Sequence, residues 1–268
     1  MAGRWALAAI PPQSMRPTPN GFMRSAIRAG AGAVLEDEAN MLAGKCAVVT
    51  GASRGIGAAV ARRLTAEGVR VMAASRTRAQ GDRWVETDVR DPAAVARLFA
   101  AAGAAFGGQL DLLVNCAGVC YLQALADMPL EQFDEMMATN VRGALLCTRA
   151  ALPLMRASGG GHVVNMSSAL AARPITAGKG GYGATKRAVD AMSEAMAAEL
   201  AGDGIVVHTL APTLVDTPMR RALFPDDSGA SWMSGDDVAD ALVFMLTRPA
   251  QVAVQALRLL PREGYFAR

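Results

Sequence analysis

Tyr182 and Lys186 stand four residues apart in YGATK, in a chain with only three tyrosines and three lysines. On a helix such a pair shares one face, one side chain above the other. The plain reading is an amphipathic surface pair. The chemical reading is a phenol, with a pKa of about 10 when unperturbed, lowered by the neighbouring ammonium so that it exchanges protons near neutrality. The rest of the chain decides between them.

A second group of residues suits phosphate. TGASRGIG (50–57) follows an apolar run and precedes a helical pattern. Gly51, Gly55 and Gly57 let the chain turn tightly and let a diphosphate approach the N–H groups of a helix start. Ser53, Arg54 and Ile56 lie in the same turn. Where a cofactor with a free 2′-hydroxyl meets an Asp or Glu, this chain has Ser75 followed by Arg76. Two guanidiniums, Arg54 and Arg76, with no carboxylate to repel a phosphate, favour NADP(H). Either arginine alone would pass for a surface charge.

These residues need elements to hold them. CAVVT (46–50) reads as a strand, GAAVARRLTAEG (57–68) as a helix, and VRVMAAS (69–75) as the second strand. WVETD (84–88) is the third strand, followed by a helix over roughly 92–106. LDLLVNCAG (110–118) is the fourth strand with its exit loop, then come helical stretches near 130–138 and 140–157. HVVNMSS (162–168) is the fifth strand, and Tyr182 opens a helix to about Leu200. IVVHTLA (205–211), a helix over 235–247 and ALRLL (256–260) complete the pattern. Near-continuous apolar strands alternating with helices predict a parallel sheet covered on both faces, in one domain over 41–268. Only the eight residues RTRAQGDR (76–83) separate strands two and three, too few for a crossover helix.

Composition narrows the function. A 52% hydrophobic, 19% charged chain of 268 residues describes a globular protein with a large core. A net charge of +3 without a Lys/Arg block argues against nucleic acid as a partner, and no apolar run reaches the ~20 residues of a membrane span. Four cysteines without a C-x-x-C and two histidines make a metal site improbable, so none is expected. Buried free cysteines suit a reducing, cytoplasmic setting. Residues 1–40, with four prolines and four arginines and no acid before Glu36, read as a disordered extension or a start set too early, with a transit peptide as the other option.

Together the motifs resemble those of the short-chain dehydrogenase/reductase family over roughly residues 44–247: TGASRGIG, Asp88-Val89, NCAG (115–118), TNVRG (139–143), NMSS (165–168), YGATK and APTLVDT (211–217). The resemblance implies a single Rossmann-like, doubly wound α/β domain with a mostly parallel seven-stranded sheet and the reduced crossover already noted. It implies Tyr182 as acid/base, Lys186 as its partner, Ser168 as the hydroxyl on the substrate oxygen, and Asn140 as holder of a relay water. Ser167 is the less favoured serine by register. It places Asp88 and Val89 at adenine, Asn115, Ala117 and Gly118 beside the cofactor, and Val215 and Thr217 at the nicotinamide carboxamide. Cys116 and Thr213 replace the Asn and Gly common at those positions. A homodimer or homotetramer is implied as well.

The activity so implied is hydride transfer between NADP(H) and a carbonyl or secondary alcohol. The tail, DDVADALVFMLTRPAQVAVQALRLLPREG, is modestly similar to NADP-dependent 3-hydroxy-acid and serine dehydrogenases, against the alternatives of a 3-oxoacyl-thioester reductase or a non-catalytic NADP(H)-binding regulator. Arg173, Lys179, Arg220 and Arg221 fall in the stretches that should set specificity and are candidates for a substrate carboxylate. Leu214, Met219, Leu223, Phe224 and Trp232 suit an apolar pocket instead.

Overall fold

Side-chain alternation along the first strand produces two cores. In β1 (Cys46–Thr50) every residue is buried. Ala47 and Val49 join an apolar cluster on one face of the sheet, while Cys46 and Val48 join the cluster on the other. A strand buried on both faces cannot alternate polar with apolar, which is why the sequence runs CAVVT without interruption. The computed structural model describes residues 41–172 and 175–262. The extension over 1–40 and the candidate Arg173 therefore lie outside the described residues.

The strands are β1, β2 (Arg70–Ser75), β3 (Trp84–Glu86), β4 (Leu112–Asn115), β5 (Gly161–Met166), β6 (Ile205–Pro212) and β7 (Ala256–Leu259). They form one sheet in the order β3-β2-β1-β4-β5-β6-β7. Every pairing is parallel, so the sheet is wholly rather than mostly parallel. The helices are α1 (Gly55–Ala66), α2 (Pro92–Phe106), α3 (Leu130–Met136), α4 (Gly143–Ala157), α5 (Gly180–Leu200), α6 (Pro218–Leu223) and α7 (Gly235–Leu246). On one face α1 packs on α7, burying Val60, Leu64, Val238 and Leu242. On the other, α2, α4 and α5 bury Leu98, Phe106, Cys147 and Leu200. Truncating a fully buried leucine such as Leu64 or Leu98 to alanine costs about 2–5 kcal/mol.

Helix boundaries follow local chemistry. In α2 the Asp91 carboxylate accepts from the Ala93 N–H at 2.9 Å, Pro92 occupies the first turn, and Gly107 leaves in the left-handed region at φ 67°. Between β2 and β3 there is no helix, as the short spacing predicts. Trp84 holds this connection: its indole N–H donates to Ser75 Oγ at 3.0 Å and the Arg78 guanidinium lies over its ring.

Two features depart from the sequence reading. The stretches near 130–138 and 140–157 are joined by a π-helical turn, Met137–Arg142, which contains Asn140. A short helix, α6, follows Thr217, whose hydroxyl accepts from the Arg220 N–H at 3.1 Å. Thr-Pro at that point is a helix-start signal that the sequence reading passed over.

Candidate active site

The chain runs from β1 through α1 to β2 on one side, then returns to place β4 on the other side of β1. At such a switch point the loops leaving neighbouring strands diverge and open a crevice at the C-terminal strand ends. Thr50, the last residue of β1, ties the two loops together: its Oγ1 accepts from the N–H groups of Cys116 at 3.1 Å and Ala117 at 3.2 Å. The resulting cavity, about 410 Å³, runs along these strand ends.

The glycines of the turn are required for two distinct reasons. Gly51 and Gly55 have φ of 68° and 57°, which favours residues without a Cβ. At Gly57 a Cβ would stand 2.3 Å from the Gly51 carbonyl oxygen, so the obstacle is contact rather than conformation. Ser53, Arg54 and Ile56 line the cavity with them. The first turn of α1 carries no acid, and Arg54 forms no ion pair among the described residues. A backbone cradle that any Cβ would fill, at a helix start beside an unpaired guanidinium, fits a dinucleotide diphosphate.

Beyond this turn lie Ser75, Arg76, Asp88 and Val89, all lining the cavity. Arg76 is 55% exposed and only loosely tied, its Nη1 3.9 Å from Glu135. Ser75 is less free than the sequence suggested. Its hydroxyl donates to the Thr77 carbonyl at 2.6 Å and accepts from Trp84, so it shapes the loop carrying Arg76. The Asp88 carboxylate is gripped by Arg90 through Nε at 3.0 Å and Nη2 at 2.6 Å, which holds its pKa below the ordinary carboxylate range. It is the only carboxylate lining the cavity among the described residues. Arg90 also reaches Glu135, which accepts from the Tyr121 hydroxyl, a network with no obvious sequence signal.

At the other end, α5 presents Tyr182 and Lys186, and the loop after β5 presents Ser168, all facing the cavity. Lys186 is buried. Its Nζ donates to the Met166 carbonyl at 2.7 Å and lies 5.6 Å from the centroid of the Tyr182 ring. Burial pushes the Lys186 pKa down and the Tyr182 pKa up. This direction is opposite to the lowered phenol expected from the sequence, and its causes are burial and the neighbouring Cys120 and Cys116. Cys116 and Cys120 share the site, and burial raises both thiols to about 12. Ser168 Oγ accepts from the Leu170 N–H at 3.3 Å, while Ser167 is tied to the Asp190 carboxyl behind the cavity.

Two expected residues stand behind the cavity wall. Asn115 donates to Asn165 at 2.8 Å and Thr148 at 3.1 Å, locking β4 to β5 and α4. Asn140 accepts from the Val119 N–H at 2.8 Å and donates to the Val119 carbonyl at 2.9 Å and to Thr185 at 3.1 Å. Its side chain is fully engaged in positioning the β4 exit loop against α5. Ala117, Gly118, Val215 and Thr217 do line the cavity. Leu214 lies beside them at φ 48°, an uncommon conformation for a side-chain-bearing residue.

The candidate substrate cations divide. Arg220 donates to Asp227 at 3.0 Å and stacks on Phe224 and Trp232, and Arg221 donates to Asp216 at 2.6 Å. Lys179 lines the cavity and forms no ion pair among the described residues. Leu214, Met219, Leu223 and Phe224 also line it, whereas Trp232 packs on Arg220 outside the lining.

The short chain dehydrogenase family model matches residues 45–228. The chain belongs to that family, and so to the oxidoreductases. It is 36% identical over 231 residues to an uncharacterized oxidoreductase of Staphylococcus haemolyticus, covering 82% of this chain and 98% of that protein. An uncharacterized oxidoreductase of Staphylococcus aureus (strain MW2) is 33% identical over 232 residues, covering 82% and 99%. A short chain dehydrogenase from Burkholderia cenocepacia, solved in complex with NADP, superimposes with a TM-score of 0.72 at 33% identity, over 82% and 98% of the chains. The ligand-free aldohexose dehydrogenase of Thermoplasma acidophilum gives a TM-score of 0.76 at 26% identity, over 82% and 94%. Among the described residues no cluster of three or more His, Cys, Asp or Glu is placed to hold a metal ion, and no helix is long and apolar enough to cross a membrane.

Proposed function

We propose that this family member is an NADP(H)-dependent oxidoreductase acting on a carbonyl or secondary alcohol, with residues 41–268 as its catalytic unit. The observation that carries the reading is one cavity that joins the glycine cradle and Arg54 at one end to Ser168, Tyr182 and Lys186 at the other. Gly51, Ser53, Gly55, Ile56 and Gly57 would hold the diphosphate, and Arg54 with Arg76 the 2′-phosphate. Asp88 and Val89 would flank the adenine. Ala117, Gly118, Val215 and Thr217 would line the nicotinamide end, with Asn115 holding that wall from behind. The cofactor, when bound, supplies or accepts the hydride.

The chain's own residues manage the proton and the developing charge. In the reducing direction a negative charge grows on the carbonyl oxygen. Ser168 Oγ donates to that oxygen, and Tyr182, kept protonated by burial, gives it a proton. Lys186, fixed by the Met166 carbonyl, keeps a positive charge beside the phenol as it becomes phenolate. Asn140 acts by position: with its side chain engaged by Val119 and Thr185, any relay water falls to the backbone of the π turn. Self-association as a homodimer or homotetramer is proposed on the family resemblance alone.

The test is NADPH consumption by the purified full chain against 3-oxo acids, their thioesters, aldehydes and bulky ketones, repeated with NADH. Turnover with preference for NADPH is expected. Tight NADPH binding with no turnover on any carbonyl would overturn the reading in favour of a non-catalytic binding protein.

A further inference from the structure

Six cations and one carboxylate line the cavity. Arg90 is matched by Asp88, Arg220 by Asp227, and Arg76 leans toward Glu135. Lys186 is anchored on the Met166 carbonyl. Arg54 stands at the glycine turn, the phosphate end. That leaves Lys179, half-buried, as the one lining cation at the catalytic end with no ion pair or hydrogen bond for its ammonium among the described residues.

Its backbone sits at the N-terminal edge of α5, three residues before Tyr182. Lys179 is the residue immediately before α5, Tyr182 lies in the first turn and Lys186 one turn further on the Tyr182 face, and all three line the cavity. Cys120 lines the same cavity as Lys179 and Tyr182. Around them the wall is apolar, built by Leu122, Leu170, Met219, Leu223 and Phe224.

We infer that Lys179 binds a substrate carboxylate, and that the substrate is a short oxo acid, or the matching hydroxy acid, whose carboxylate lies one or two carbons from the reacting carbon. This rests on the reductase reading above. In the reducing direction the C=O π bond breaks as the carbonyl carbon takes a hydride from the reduced nicotinamide, which is oxidised. Tyr182 supplies the proton that completes the hydroxyl, and solvent re-protonates Tyr182. The carboxylate stays ionised throughout, held by the ammonium while the short apolar remainder meets the leucine and methionine wall.

The test compares a 3-oxo acid with its neutral methyl ester as substrates of the full-length enzyme, in the wild type, Lys179→Met and Lys179→Arg, with NADPH in excess. The wild type should favour the acid. Lys179→Met should lower the acid-to-ester ratio of kcat/KM by about tenfold to a hundredfold, mostly through KM, the range for a lost hydrogen bond to a charged group. Lys179→Arg should restore most of that ratio. Equal losses on acid and ester, or a wild type that favours the ester, would overturn the assignment. Calorimetric titration of the acid into each variant reads the same site without turnover. If neither compound is reduced while another carbonyl of the panel is, the oxo-acid assignment fails and the reductase reading stands. If no carbonyl is reduced, the reductase reading fails, while acid binding present in the wild type and lost in Lys179→Met still supports the carboxylate site, and its absence from the wild type refutes it.

Discussion

The chain's two histidines form one pair, His208 buried and His162 half-buried, and acidification should destabilise the fold through it. His162 Nδ1 lies 3.0 Å from His208 Nε2, and His208 Nδ1 lies 2.7 Å from the Val254 carbonyl. A carbonyl only accepts, so His208 carries its proton on Nδ1, and Nε2 must then accept from His162. The order of protons along the chain of bonds is fixed with both rings neutral. Burial, then His208, then Lys45 push the His162 pKa down to about 4, against the opposing pull of Asp111, and burial lowers His208 as well. An unfolded chain protonates such a ring near pH 6.5, so between about 6.5 and 4 it binds more protons than the folded one. Stability from His162 is thus fully present above about pH 6.5 and declines as the pH falls, by about 2 kcal/mol between pH 7 and pH 5. For a unit of this size that corresponds to roughly 4–8 °C in Tm. Asp190, whose carboxyl burial raises, works in the opposite direction, so a variant comparison is needed. Urea unfolding at pH 7 and pH 5 should show a loss in the wild type at least about 1 kcal/mol larger than in His162→Gln. Equal losses in both proteins, or an NMR titration with either imidazole at its ordinary midpoint, would refute the reasoning.

Gly57→Ala should lower stability by about 2 kcal/mol or more and abolish NADPH binding, because the new methyl meets the Gly51 carbonyl oxygen and both backbone segments must separate. Urea midpoints and a fluorescence titration check this, and an unchanged midpoint would count against it. Arg76→Asp should shift the NADPH-to-NADH ratio of kcat/KM by about tenfold to a hundredfold toward NADH, since it removes a phosphate partner and adds a repulsion. An unchanged ratio would leave the 2′-phosphate to Arg54 or exclude it.

Among the described residues the sequence yielded the strands, six of the seven α-helices and the missing crossover because each has a local cause: apolar period, glycine and proline placement, spacing. TGASRGIG and YGATK were legible for the same reason, since both act within one loop or one helical face. What was not legible depends on contacts across the fold. Asn140 is a wall-holding residue because Val119 and Thr185 claim its amide. Ser75 turns inward to Trp84, nine residues on. The elimination of Arg220 and Arg221 as free cations required seeing Asp227 and Asp216 fold back on them. The upward direction of the Tyr182 pKa shows the same limit: the lysine spacing is written in the sequence, whereas the burial of the phenol and its closeness to Cys116 and Cys120 are not.

The most direct test of the account is Tyr182→Phe, read for cofactor binding and turnover on the same preparation. The change removes one hydroxyl from the cavity wall and leaves the glycine cradle, Arg54 and Arg76 untouched. NADPH affinity should stay within about threefold of the wild type, while kcat on the best carbonyl of the panel falls by about a hundredfold or more, the usual contribution of a positioned proton donor. A variant that binds NADPH and still turns over at the wild-type rate would contradict the assignment of Tyr182 as the group that moves the proton.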